Sequence, residues 1–298
     1  MKTFDMYKVY GIDIFKNKTE LAVVGNKKDA NQIKEYFIDI FDKITIEKDK
    51  HLEDKPRKLI VIGDSNNSVK EVEQLLKSTK FYHNLEQDNT VEQLIFLGNM
   101  IGERPGFLEY IDFLMNLYKT NEVLGKKLPI IFIRGVNEYH LINYINDRYY
   151  DLPIFMKPII NNIENELGYP IRRLPIENAD IWNFLLNTIK YYENDKYIFI
   201  PSMINQKMNW KTTPDEDFYG FDVKFIVDKN RTCKTIIFGN VPAHLITGKK
   251  YNNAWINNDK NKICLNGAPT EKDGKILGLY IDENEYHHIS AKIRNYQK

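Results

Sequence analysis

Short apolar runs alternate with amphipathic segments through the middle of the chain. The runs cover residues 58–62, 94–97 and 129–133. Such runs predict buried strands, and each is followed by a polar loop and then by apolar residues at helical spacing. The helices that follow are expected to begin near Ser68, Phe107 and Glu138. Ser68 and Glu71 have the spacing of a capping box. Strands that alternate with helices in this way predict an α/β architecture.

The flanking regions have different patterns. Strand-forming residues dominate two segments, 7–15 and 20–24. Apolar residues then recur at helical spacing over 30–41. A charged stretch that contains Pro56 follows at residues 48–58. We therefore expect an N-terminal ββα extension and linker over residues 1–57, followed by a domain over 58–298. Residues 151–193 are predicted to form a helical insertion in that domain. Further strands are predicted at residues 197–200, 235–238, 262–265 and 275–281.

Composition narrows the class of protein. The 298 residues include 42 lysines and arginines against 41 acidic residues, and this balance argues against a dedicated nucleic-acid binder. No segment approaches the roughly 18 apolar residues of a membrane span, and no secretion signal is readable. Cys233 and Cys264 are too few for a disulfide framework or a Cys-based zinc site, which is typical of a reducing compartment. We expect a soluble cytoplasmic protein without nucleic-acid or membrane partners.

Candidate chemistry lies in the loops that follow the predicted strands, because ligands of α/β folds bind at the carboxyl ends of strands. These loops are residues 63–67, 98–105, 134–138, 201–203 and 239–242. They are rich in asparagine, and their carboxylates are Asp64, Glu103 and Glu138. Because each loop follows an apolar run, we expect all five to converge on one edge of the molecule.

The order and spacing of these loops resemble the calcineurin-like metallophosphoesterases, in particular their bacterial and phage serine/threonine-phosphatase branch. Residues 59–67 are similar to the family's GDxHG motif, 96–105 to GDxxDRGP, and 133–141 to RGNHE. Residues 197–203 are similar to the strand that ends in HAG, 236–242 to the GHTP strand, and 265–268 with 274–280 to the DTGA-like strand. The resemblance implies a two-sheet β-sandwich flanked by helices. In the family, two divalent metal ions are held by Asp, His and Asn ligands, and a histidine acts as general acid.

Most of the family's ligands are replaced in this sequence. The resemblance places the first aspartate at Asp64, its partner histidine at Asn66 and the bridging aspartate at Asn99. It places the ligand asparagine of RGNHE at Val136 and the general-acid histidine at Asn137, and the histidines of HAG and GHTP at Pro201 and Asn240. Neutral amides are weak ligands for hard divalent cations, and Val and Pro side chains offer none. We therefore expect no catalytic residue, no bound metal and no other cofactor.

The second motif aligns in two ways. Without a gap, Gly102 falls on the second aspartate of GDxxDRGP and Glu103 on its arginine. A one-residue insertion instead aligns Glu103 and Arg104 with the Asp–Arg pair. The sequence leaves both alignments open.

The polar residues of this relict pocket have alternative interpretations. Asp64 is either a functional carboxylate or a strand-end residue that stabilises the start of the next helix. The asparagines, Asn66, Asn99, Asn137 and Asn240, either form a metal-free pocket for a phosphate or sugar or are small polar fillers. Arg104 and Arg134 either clamp an anionic ligand or form ion pairs with Glu103 and Glu138.

Two functions of different classes follow from this pattern. The first is a pseudophosphatase, a catalytically inactive relative of these enzymes that binds a protein partner or self-associates as a scaffold. The N-terminal extension is a candidate interaction element, and a phosphorylated ligand is compatible with the pocket. The alternative is a divergent metal-dependent phosphoesterase or protein phosphatase. Its site would be reorganised around Asp64, Glu103, Glu138 and a nearby histidine, His140 or His244.

Overall fold

The chain forms two compact units, Met1–Pro56 and Arg57–Lys298. The structure is a computed structural model that describes residues 6–12, 18–24, 27–37, 41, 43–49, 58–82, 92–123, 130–147, 152–207, 209–249, 252–282 and 285–293. Predicted strand residues 13–15 and linker residues 50–57 lie outside this part of the chain.

The N-terminal unit is a three-stranded antiparallel sheet with one helix. Its elements are β1 Met6–Ile12, β2 Lys18–Val24, α1 Lys27–Phe37 and β3 Lys43–Asp49, and the strand order is β2-β1-β3. The predicted ββα segment is present, but β3 extends into the stretch that we predicted to be linker. Ile44 and Ile46 pair with Gly11 and Val9 of β1, so the apolar residues alternate with polar ones as in a half-buried strand.

The larger unit contains two five-stranded sheets. The first is formed by β4 Lys58–Ile62, β5 Glu92–Phe96, β6 Ile130–Phe132, β12 Lys275–Asp282 and β13 Glu285–Lys292, in the order β13-β12-β4-β5-β6. The second is formed by β7 Tyr192–Glu193, β8 Tyr197–Phe199, β9 Thr235–Phe238, β10 Trp255–Ile256 and β11 Lys262–Cys264, in the order β10-β11-β9-β8-β7. Strands β4, β5 and β6 are parallel, as are β8, β9 and β11.

Helices cover the outer faces of both sheets. They are α2 Val69–Ser78, α3 Phe107–Val123, α4 Val136–Ile145, α5 Met156–Leu167, α6 Leu174–Glu177, α7 Ala179–Leu186, α8 Asp215–Phe218, α9 Val223–Val227 and α10 Ala243–Thr247. Single 3-10 turns occur at Ile171–Arg173 and Trp210–Thr212. Helices α5 to α7 occupy the stretch predicted to be helical. In the described residues, no helix is both long and apolar enough to cross a membrane.

The predicted capping box at α2 is wrong. Ser68 occupies the N-cap position but makes no side-chain capping bond. Its hydroxyl instead donates to the carbonyl oxygen of Asn66, at 3.4 Å. Asn66 and Asn67 both have positive φ, and this tight turn brings that carbonyl within reach of the hydroxyl.

Alternating side chains on the strands build the sandwich. Leu59 and Val61 of β4 pack between the sheets in a cluster with Phe199 and Ile237 of the second sheet. Ile60 and its neighbours on the opposite face pack against α2 and α3. Parallel strands covered on both faces read as continuous apolar runs, which is why the sequence made them recognisable. The predicted two-sheet sandwich flanked by helices is confirmed.

Candidate functional site

Asp64 lies at the carboxyl end of β4, where loops from both sheets meet. Its side chain is 2% exposed. Its Oδ2 accepts hydrogen bonds from Asn99 Nδ2 at 2.8 Å and from Asn266 Nδ2 at 3.1 Å, and its Oδ1 accepts one from the backbone N–H of Asn240 at 3.0 Å. We call these four residues the Asp64 cluster. The loops that follow β4, β5, β9 and β11 are thus joined through one carboxylate.

The orientation of two amide groups in the Asp64 cluster is fixed by their other contacts. Asn99 Oδ1 accepts from the backbone N–H of Asn137 at 3.0 Å, so its Nδ2 must face Asp64. Asn266 Oδ1 likewise accepts from the backbone N–H of Ala268 at 2.7 Å, which turns its Nδ2 toward Asp64. Asp64 is therefore surrounded by N–H donors rather than by oxygen atoms.

Asn240 connects the cluster to the second sheet. Its Oδ1 accepts from Asn99 Nδ2 at 3.2 Å, and its Nδ2 donates to Ser202 Oγ at 3.1 Å. Asn99 and Asn240 have φ values of 46° and 67°, in a left-handed region that asparagine tolerates better than most residues. A side chain at Gly239 would place its Cβ 2.1 Å from Asp64 Oδ1, so the loop needs a glycine there.

Glu138 is a second buried carboxylate beside the Asp64 cluster. It is fully buried in the first turn of α4. Its Oε2 accepts from the backbone N–H groups of Gly135 at 2.7 Å and Asn99 at 2.9 Å, and its Oε1 accepts from that of Ile101 at 2.8 Å. The bond to Gly135 closes the start of α4 in the manner of a capping box. Glu138 therefore joins the loops that follow β5 and β6.

Burial has the largest effect on the pKa of both carboxylates. It raises the pKa of Asp64 to about 6, against the opposing effect of the hydrogen bonds from Asn99 and Asn240. Burial also raises the pKa of Glu138 to about 7, although its backbone N–H donors favour the charged form.

The other predicted pocket residues lie at different distances from the cluster. Asn66 is buried, and its backbone N–H donates to the carbonyl oxygen of Asn99 at 3.0 Å. Its side chain lies against Gly102, where a Cβ would fall 1.9 Å from Asn66 Oδ1. Position 102 therefore lies against Asn66, and the alignment of the second motif stays open. Asn137 is also buried and donates from Nδ2 to the carbonyl oxygen of Ile101 at 2.9 Å.

The arginines do not pair with the carboxylates that we considered for them. Arg134 donates to Thr188 Oγ1 at 3.0 Å and to the carbonyl oxygens of Leu186 and Thr188 at 3.0 and 2.9 Å. Its expected partner Glu138 accepts from backbone N–H groups instead.

Arg104 donates to the carbonyl oxygen of Pro269 at 3.5 Å, and Glu103 is exposed. No Arg104–Glu103 ion pair forms, although both residues are described. Of the two arginines and the two glutamates that we considered as their partners, only Glu138 accepts a hydrogen bond from Asn99.

Our sequence reasoning missed Asn266 and Ser202. Asn266 lies two residues after the strand β11, within a segment that resembles the family's last motif, and that position was its available signal. Ser202 directly follows Pro201, the position of the family's HAG histidine. Both residues are at least 95% buried, so their hydrogen bonds act inside the protein rather than in solvent.

The Asp64 cluster does not fit the two metal ions that the resemblance implies. Hard divalent cations bind anionic or carbonyl oxygen atoms. Here the single carboxylate already accepts three N–H groups, and the amides nearest to it present nitrogen-bound hydrogens with positive partial charge. In the described parts of the chain, no three His, Cys, Asp or Glu side chains are grouped so that they could hold a metal ion.

The two histidines considered for a relocated site have other contacts. His244 Nε2 lies 3.6 Å from Glu271 Oε2, and His140 stacks edge-on against Phe155 and Tyr139. Neither histidine contacts Asp64.

Searches with the sequence match no family model and no curated protein. Structural comparison matches a protein assigned as a diadenosine tetraphosphatase, with a TM-score of 0.55, 10% identity and coverage of 80% of this chain and 96% of the other. It also matches a cold-active protein-tyrosine phosphatase from a psychrophilic Shewanella species, with a TM-score of 0.56, 10% identity and coverage of 85% and 93%. The chain has the metallophosphoesterase-type fold of these phosphatases.

Proposed function

We propose that this protein is a pseudophosphatase, a phosphatase-like scaffold that does not hydrolyse phosphoesters and acts by binding a protein partner or by self-association. The observation that carries the proposal is the direction of the amide groups around Asp64. Asn99 and Asn266 both donate to the carboxylate, and their oxygens are held by backbone N–H groups. The carboxylate expected to bind a cation thus faces hydrogen-bond donors.

The chemistry of hydrolysis supports the same proposal. A two-metal site generates the nucleophile and clamps the attacking and leaving oxygens, which requires ligands that bind both ions. The leaving group also needs a proton donor, and the residue at the position of the family's general acid is Asn137. An amide does not titrate near neutral pH, and Asn137 Nδ2 already donates to the carbonyl oxygen of Ile101 at 2.9 Å.

The alternative, a divergent phosphoesterase with a reorganised site, has weaker support. It needs Glu103, Glu138 and a histidine to act together with Asp64. The side chain of Glu138 accepts three backbone N–H groups, Glu103 is exposed, and the described histidines lie elsewhere. The absence of nucleic-acid and membrane partners stays a prediction, as does the phosphorylated ligand.

The test combines metal binding with turnover on the full chain. We expect isothermal calorimetry to show no stoichiometric Mn²⁺ binding and p-nitrophenyl phosphate to be hydrolysed no faster than in buffer. The Asp64→Asn variant and the Asp112→Asn variant, changed at an exposed residue of α3, should both behave like the parent. Stoichiometric Mn²⁺ together with turnover that only Asp64→Asn abolishes would establish the phosphoesterase instead.

A further inference from the structure

A surface segment that is linked to the Asp64 cluster packs its inner side chains into the core and exposes apolar side chains on its outer surface. This α8–α9 segment covers residues 215–228. Its inner side chains, Phe218 and Phe225, are 1% and 5% exposed and belong to the core beneath the second sheet. Its outer side chains, Phe221, Val223 and Val227, are 48%, 61% and 72% exposed. Val223 and Val227 are four residues apart in α9, so they share one face of the helix.

The backbone of the segment is held at several points. Ser202 Oγ donates to the carbonyl oxygen of Gly220 at 2.5 Å, and the N–H of Asp222 lies 3.0 Å from Met203 Sδ. The fully buried Lys262 donates from Nζ to the carbonyl oxygens of Asp228, at 2.6 Å, and Phe225. These contacts fix the end of α9, so the exposed side chains are presented on a preorganised backbone.

The segment is strongly acidic in a chain of almost neutral charge. Residues 215–228 contain five carboxylates and one lysine. Asp215 pairs with Lys190. Glu216, Asp217 and Asp222 are exposed, and within the described residues none of them forms an ion pair. Exposed apolar side chains that lie within a few residues of unneutralised carboxylates are complementary to a ligand that is both apolar and basic.

A chain of hydrogen bonds connects this surface to the Asp64 cluster. The backbone N–H of Asn240 donates to Asp64, its side chain donates to Ser202 Oγ, and Ser202 donates to the carbonyl oxygen of Gly220. Gly220 immediately precedes Phe221. Asn240, at the position of the family's GHTP histidine, is therefore linked through Ser202 to the backbone that carries Phe221.

We propose that the acidic–apolar face, formed by Glu216, Asp217, Phe221, Asp222, Val223 and Val227, is a docking surface for a basic amphipathic segment of a protein partner. The inference rests on the proposed function, because it names the partner class of a protein that acts by binding. An amphipathic helix places apolar residues at one-turn spacing, which matches the spacing of Val223 and Val227. The preorganised backbone reduces the entropy that binding must overcome. The unpaired carboxylates would repel the headgroups of an anionic membrane.

The experiment uses the full chain and a fluorescein-labelled synthetic peptide of leucine and lysine, about 18 residues long, which forms a basic amphipathic helix. Binding is followed by fluorescence anisotropy. We expect the double variant Val223→Ser/Val227→Ser to weaken binding by about tenfold or more, because it removes apolar contact without changing charge. We expect Glu216→Gln/Asp217→Asn to weaken binding several-fold and to reduce its salt dependence. Leu245→Ser, at a 66% exposed site on α10, is the matched control and should bind like the parent.

Several results would overturn the inference. These are unchanged affinity in the valine variant when circular dichroism shows it folded, equal affinity for a leucine–glutamate peptide, and self-association of the chain that the valine variant abolishes. Binding to anionic vesicles that the same variant abolishes would assign the surface to lipid. Phosphatase activity is measured in the same preparations. Activity with peptide binding would contradict the proposed function alone, whereas neither activity nor binding would contradict only the docking surface.

Discussion

Asn99 donates hydrogen bonds to two buried carboxylates, whose other donors are of different kinds. Asp64 accepts from the side-chain amides of Asn99 and Asn266 and from one backbone N–H. Glu138 accepts from three backbone N–H groups, including that of Asn99. Both are nearly inaccessible to solvent, and burial raises the pKa of both.

The two carboxylates differ in what determines their hydrogen-bond donors. Backbone N–H groups are present whatever the side chain, so the hydrogen-bond donors to Glu138 do not depend on the side-chain chemistry of its neighbours. The environment of Asp64 depends on side-chain identity at positions 99 and 266, and there the amides set the electrostatics. A shared fold therefore gives little information about chemistry, which has to be argued from the side chains of the site.

The largest expected effect is the loss of the Glu138 carboxylate. Glu138→Ala leaves the N–H groups of Gly135, Asn99 and Ile101 buried without an acceptor, so we expect the free energy of unfolding to fall by about 3–5 kcal/mol. Urea unfolding followed by circular dichroism measures it. The control is Glu103→Ala, which removes an exposed carboxylate nearby and should change stability by less than about 0.5 kcal/mol. Similar values for the two variants would refute the bracing role of Glu138.

The second effect comes from introducing a carboxylate at position 99. Asn99→Asp replaces the donor 2.8 Å from Asp64 Oδ2 with a like charge. We expect the free energy of unfolding at pH 8 to fall by about 2–4 kcal/mol, because a hydrogen bond to a charged group is lost and two carboxylates repel.

Added Mn²⁺ sharpens this test, because the variant has two neighbouring carboxylates whose anionic oxygens could bind a divalent cation. Mn²⁺ should raise the melting temperature of Asn99→Asp and leave the parent unchanged. Asn187→Asp, on the exposed C-cap of α7, is the control and should show no such rise. A rise in the parent protein would mean that the original cluster binds metal, contrary to our proposal.

Much of the fold could be predicted because its signal is local. Buried parallel strands read as short apolar runs, and the loops after them showed where the site would form. Strands β7, β10 and β13 were not predicted. Each pairs with the strand next to it in sequence, but β7 and β10 have only two residues each and β13 is mostly polar, so none of them forms an apolar run.

The site was only partly predictable for a similar reason. The carboxylates and asparagines could be placed from their loops, but the direction in which each amide points depends on contacts such as that between Asn266 and Ala268. The partners of Arg134 lie more than fifty residues away in sequence, so its hydrogen bonds with Leu186 and Thr188 left no local signal.

The third effect is a dependence of the free energy of unfolding on pH, to which both carboxylates contribute with the same sign. A folded-state pKa raised above the unfolded value means that the folded protein binds the proton more tightly, so this stabilisation is lost as pH rises through the folded pKa. With pKa values of about 6 for Asp64 and 7 for Glu138, we expect the free energy of unfolding to fall by about 1–3 kcal/mol between pH 5.5 and 8.

Variants separate the carboxylates from other titrating groups. His140 and His288 have lowered pKa values because of burial, so they destabilise the folded state on acidification and oppose the carboxylates. Unfolding free energies across the pH range should therefore change less steeply in Glu138→Gln than in the parent, with a smaller reduction in Asp64→Asn. An unchanged slope in both variants would mean that neither carboxylate titrates in this window.

The smallest effect is expected from substituting the two arginines. These substitutions distinguish an arginine that binds an anionic ligand from one that only stabilises the fold. Arg134→Gln removes hydrogen bonds to the carbonyl oxygens of Leu186 and Thr188 at the C-terminal end of α7, so we expect the free energy of unfolding, measured by thermal unfolding, to fall by about 1–2 kcal/mol. Arg104→Gln removes one 3.5 Å contact with Pro269 and should change stability by less than about 0.5 kcal/mol. Neither change should alter the pH slope, because neither arginine contacts Asp64 or Glu138. If inorganic phosphate stabilises the parent and Arg104→Gln abolishes that stabilisation, Arg104 binds anions. The site would then have a binding function that the hydrogen bonds of Asp64 and Glu138 do not indicate.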